Sequence, residues 1–120
     1  MIELETKKLV IIDFGSLEIG DPIEEFNRMI WNAQLSEEFA TGFVNGYFEG
    51  EKIPDIFWKL MAYYMACDVV GSIPWAINFG DNQLEIMLKR AKLVLDWFDD
   101  FKRVIPKFYK GNNTEKVGKF

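Results

Sequence analysis

Helix-start signals divide most of this chain, and the apolar spacing behind each one leaves little room for any architecture that is not helical. Asp21-Pro22 offers a capping carboxylate followed by proline at the first helical position. Ile23, Phe26 and Ile30, with Trp31 beside them, then continue at helical spacing. Ser36 caps a second helix whose stripe is Phe39, Phe43, Val44 and Tyr47, closed by Gly50. Pro54 opens a third, apolar on nearly all sides, which Gly71 and Pro74 are expected to end or kink. Asp81 or Asn82 caps the fourth, whose stripe runs through Leu84, Met87, Leu88, Ala91, Val94, Leu95, Phe98 and Phe101 until Pro106.

The first residues follow another period. Ile2 and Leu4 alternate with Glu3 and Glu5, as in a half-buried strand. Thr6-Lys7-Lys8 suits a turn, and Leu9–Ile12 is a continuous apolar run suited to a strand buried on both faces. The expected fold is therefore α+β but mainly α. A β-hairpin over 1–13 leads into a bundle of about four helices over 21–105, then a loose basic tail over 106–120, all in a single domain.

Composition narrows the chemistry. The chain has no histidine and one cysteine. A Ser-His-Asp triad, a His-ligated zinc site and an internal disulfide are excluded. The net charge of -5 speaks against nucleic-acid binding. No unbroken apolar run reaches the roughly 20 residues of a membrane span. No charged segment precedes an apolar one at the start, so a cytoplasmic protein without a membrane contact is expected. The charge is uneven: residues 1–100 carry 8 basic and 18 acidic side chains, while residues 101–120 carry 6 basic ones and Glu115 alone. That end reads as a solvated tail, or as a tail docking on an acidic face.

One stretch carries chemistry. Leu9-Val10-Ile11-Ile12 delivers Asp13-Phe14-Gly15 into a loop, and Gly20-Asp21-Pro22-Ile23-Glu24-Glu25 follows. A carboxylate at the end of a rigid segment can hold Mg²⁺ against a phosphate chain, and a glycine lets the backbone turn away from it. Over residues 9–26 this resembles the aminoglycoside phosphotransferase and choline kinase-like family, and the helices that follow look like its helical subdomain. The resemblance implies the helical part of the C-terminal lobe of a kinase-like fold. It implies Asp13 as the metal-binding aspartate, Gly20, Asp21 and Pro22 as the turn and helix start, and Mg²⁺ and ATP as cofactors of the intact enzyme. The acceptor would be a small molecule with a hydroxyl group, of the aminoglycoside, choline or sugar class.

Glu25 stands where the family has Asp. It either brackets the catalytic loop or is an exposed first-turn carboxylate. The family's catalytic loop, His-Gly-Asp followed by four residues and Asn, does not occur in these residues, nor does the nucleotide-binding lobe. The resemblance thus implies a C-terminal portion with no catalytic or nucleotide-binding residue of its own. It should be inactive alone and hold neither Mg²⁺ nor ATP tightly. Missing neighbours should leave apolar surface exposed and favour a dimer or larger assembly. A non-catalytic, self-associating helical module is the other expectation. Asp68, within the apolar third helix, either lines the rim of a pocket or faces a cationic acceptor. Asp96, Asp99 and Asp100 read as a solvated face compensated by Lys102 and Arg103. Trp31, Trp58, Trp75 and Trp97 read as core, and Cys67 as a small buried hydrophobe.

Overall fold

The computed structural model describes residues 2–13, 15 and 18–111. A 3₁₀ helix, Pro22–Arg28, runs directly into α1 (Met29–Leu35). Then come α2 (Glu37–Tyr47), α3 (Asp55–Ile77) and α4 (Asp81–Trp97). The fold is mainly α, and no β-strand occurs among the described residues.

The expected N-terminal β-hairpin is therefore corrected. Ile2 and Leu9 form one isolated antiparallel bridge, and Lys7 turns the chain with a φ of 58°. A two-stranded ribbon is marginal unless something covers it. Among the described residues nothing does so: Leu4, Leu9 and Ile11 stay 81%, 70% and 72% exposed.

Local capping chemistry explains the helix starts. Asp21 Oδ1 accepts the Ile23 N–H at 2.9 Å, with Pro22 as the first helical residue. Ser36 adopts an extended backbone between α1 and α2, and its Oγ accepts the Phe39 N–H at 3.1 Å. Pro54 sits at the N-cap of α3. For α4 the cap is Gly80, whose φ of 91° suits glycine, and Asp81 is the first helical residue. Pro74 does not end α3. The helix continues to Ile77 and carries the fully buried Ala76 beyond it, so packing overrides local propensity.

The core lies where α3 meets the 3₁₀ helix on one side and α4 on the other. Phe57, Trp58, Met61, Ala62 and Met65 of α3 pack with Phe26, Met29 and Ile30, and with Val94 and Trp97. α2 contributes Ala40, Thr41 and Val44. Its expected stripe is corrected in part: Phe39, Phe43 and Tyr47 are about half exposed. The small residues let α2 approach closely, while Phe43 and Tyr47 lie beside Phe26, with ring centroids 5.7 and 5.1 Å from it. Trp58 and Trp97 are core as expected, whereas Trp31 and Trp75 are half exposed. Cys67 is exposed rather than buried.

α4 stops at Trp97, well short of Pro106. Asp99, Asp100 and Phe101 then take left-handed φ values of 51°, 52° and 59°. Backbone bonds from Asp100 N–H to the Leu95 carbonyl (2.9 Å) and from Arg103 N–H to the Phe98 carbonyl (3.1 Å) hold this reversal. Phe98 and Phe101 stack across it at 5.4 Å.

The segment that follows is packed as far as Tyr109, although the basic tail is expected from residue 106. Val104, Ile105, Pro106, Phe108 and Tyr109 are all buried. Thr41 Oγ1 donates to the Phe108 carbonyl at 3.3 Å and accepts the Lys110 N–H at 3.0 Å. Tyr109 Oη donates to Asn45 Oδ1 at 2.7 Å. Lys107 and Lys110 are exposed, while the apolar side chains around them are buried. Residues 112–120, the rest of the expected tail, lie outside the described residues.

α3 has 23 residues and a mean hydropathy of 1.3 over its most apolar stretch. By length and composition it could cross a membrane. Counting unbroken apolar runs misses this, because Lys59 and Asp68 interrupt the helix.

Candidate functional site

The candidate metal ligand sits ahead of the helices. Asp13 is exposed and holds a φ of 68°, a region sparsely used by residues with a side chain. Such backbone outliers cluster at functional sites, and Asp tolerates this one better than most residues. Gly15 lies close by: a Cβ there would stand 3.9 Å from Asp13 Oδ1. Phe14, between them, lies outside the described residues, as do Ser16 and Leu17.

Asp21 anchors the other end of this stretch. While Oδ1 caps the 3₁₀ helix, Oδ2 accepts the Tyr64 hydroxyl of α3 at 2.9 Å. One carboxylate thus starts a helix and ties it to a helix 43 residues further on. The bond to Asp21 holds the Tyr64 phenol above its ordinary range. Partial burial and the charges of Asp21 and Glu24 push the same way. Glu24 and Glu25 occupy the first turn, where both are exposed and the helix dipole favours them.

This raised phenol has a consequence for stability. A folded-state value above the unfolded one, near 10, favours the protonated phenol in the native state. The contribution is fully present below about pH 10 and is lost as pH rises through the higher folded value. Tyr64→Phe should therefore unfold at lower urea than the parent at neutral pH, and that gap should be smaller at a pH above about 10. Urea midpoints of the two proteins at both pH values check this. A gap of constant size would show that the Tyr64–Asp21 bond contributes nothing.

Asp68 is half-buried on α3, and Arg90 of α4 is the cation that feels its charge. Arg90 is only 4% exposed. Its guanidinium carbon lies 3.5 Å from the centroid of the Trp31 ring, and Nη1 donates to Met87 Sδ at 3.4 Å. Nε has no partner. Burial pushes the guanidinium below the ordinary arginine range, and Asp68 partly offsets that. Arg90 falls between Met87 and Val94 on the α4 stripe, so its burial was readable from the helical phase.

Other expected sites are dispersed. Asp96 pairs with Lys107 at 2.8 Å and Asp100 with Lys102 at 3.7 Å, all exposed. Arg103 instead donates from Nε to the Ile105 carbonyl at 2.7 Å. An open groove of about 600 Å³ is lined by Leu35, Ser36, Glu37, Glu38, Leu93 and Trp97 among others. Asp13, Asp21 and Asp68 do not line it. Lys110 closes on its acidic rim, 3.1 Å from Glu37 Oε2.

Mg²⁺ takes near-octahedral oxygen coordination, often one or two carboxylates with phosphate oxygens and waters. Asp13 fits as one such ligand. Among the described residues no group of three or more Asp, Glu, Cys or His stands close enough to hold a metal ion. Comparison with protein-family models, curated proteins and solved structures finds no match to this chain.

Proposed function

We propose that this chain is the C-terminal portion of an ATP-dependent small-molecule phosphotransferase, in which Asp13 holds Mg²⁺ and residues 21–105 form the helical part beside the acceptor. The left-handed backbone of Asp13, the carboxylate that the family resemblance implies as metal ligand, is the observation that carries this reading. The double bonding of Asp21 at the Gly20-Asp21-Pro22 turn adds support, since it ties the end of the loop to α3. Bound Mg²⁺ would neutralise charge on the transferred phosphoryl group. Asp13 would supply one oxygen to it, and Asp21 and Tyr64 would fix the loop. Orientation of an acceptor hydroxyl, and the groups that cradle ATP, must come from residues beyond these 120, which hold no His-Gly-Asp loop. Phosphoryl transfer depends on positioning and electrostatics, so one carboxylate does not sustain it.

Isothermal titration of the chain with Mg-ATP should accordingly show no saturation below about millimolar concentration. Micromolar affinity would overturn the view that the chain is incomplete. The reading itself is tested at the source locus. If coding sequence in frame ahead of Met1 specifies His-Gly-Asp, four residues and Asn, the longer protein should phosphorylate a small hydroxyl acceptor. Its Asp13→Asn variant should lose that activity at least 100-fold, by analogy with the loss of other groups that stabilise transition-state charge. A closed frame there, or an unaffected variant, sinks the proposal.

A second reading, a self-associating helical module, is favoured by the amount of apolar surface left open. Leu4 and Leu35 are 81% and 88% exposed, and Phe79 and Val70 exceed 60%. Isolated exposed apolar residues are ordinary, but this density is what an interface or a missing neighbour leaves behind. Both readings predict a dimer or larger at micromolar concentration by light scattering. A monomer would count against the assembly that both predict, and would remove the second reading.

A further inference from the structure

We draw no further inference here: the strongest candidate, the half-exposed aromatic face of α2 formed by Phe39, Phe43 and Tyr47, belongs to the apolar surface already invoked for self-association, and nothing in the structure shows what covers it.

Discussion

Phe108→Ala is expected to lower the stability of the chain by about 3–5 kcal/mol, as for other fully buried phenylalanines. Phe108 has no exposed surface, and its ring meets Trp97 edge-on with centroids 4.9 Å apart. The backbone around it is fixed from a distance, since Thr41 bonds to the Phe108 carbonyl and to the Lys110 N–H. Truncation leaves a cavity between α4 and the returning segment that these bonds prevent from collapsing. A domain of this size has about 5–15 kcal/mol in all, so the variant should approach the edge of folding. With a urea slope of about 1–3 kcal/mol/M, the midpoint should fall by at least about 1 M. A midpoint unchanged within about 0.3 M would mean that the segment after α4 is loose, as its basic charge alone suggests.

That contrast shows which parts of the fold could be read ahead of the structure. Asp21-Pro22 and Ser36 announce helices because capping is local, with bonds that close within three residues, and Pro54 does so because its ring-fixed φ of -66° suits a helix start. The segment from Val104 to Tyr109 gives no such signal. It has no helical or strand period, its buried residues are interleaved with Lys107 and followed by Lys110, and Thr41 and Asn45, which bond to it, lie more than 60 residues back. Leu9–Ile12 misleads for the opposite reason. Its composition is that of an inner strand, but a strand is completed by neighbours, and among the described residues the β pairing is one isolated Ile2–Leu9 bridge.

In α2 three aromatics outweigh Ala40 in any hydrophobic count. Yet a helix packs closest through its small residues, and Ala40 is fully buried. At the candidate site, motif reading picked out Asp13 and Asp21 but not Tyr64. A hydroxyl in an apolar helix has no sequence signature that aims it at a carboxylate 43 residues away.

Phe57→Ala should cost a similar 3–5 kcal/mol, and its effect should reach the candidate site. Phe57 is 1% exposed and sits edge-on between Phe26 and Phe48, with centroids 4.8 Å from each, and against Trp58 at 5.1 Å. Phe26 belongs to the 3₁₀ helix that Asp21 caps, and Phe48 ends α2. One ring on α3 therefore clamps both elements that flank α1. Each aromatic pair is worth about 0.5–1.5 kcal/mol beyond its buried area, so the loss is not one of volume alone.

Phe43→Ala provides the control, because Phe43 also touches Phe26 but is 49% exposed. Its loss should stay below about 1.5 kcal/mol, since half the ring is already in water. Hydrogen exchange then separates local from global effects. In Phe57→Ala the amides of Ile23 and Phe26 should lose protection before those of α4, since the clamp releases the 3₁₀ helix first. Equal loss across α4 and the 3₁₀ helix would show that the turn carrying Asp21 is held by the bundle as a whole. Earlier loss would show that the aromatic clamp and the Tyr64 bond fix the turn together, and that the core of α3 sets the geometry of the candidate site.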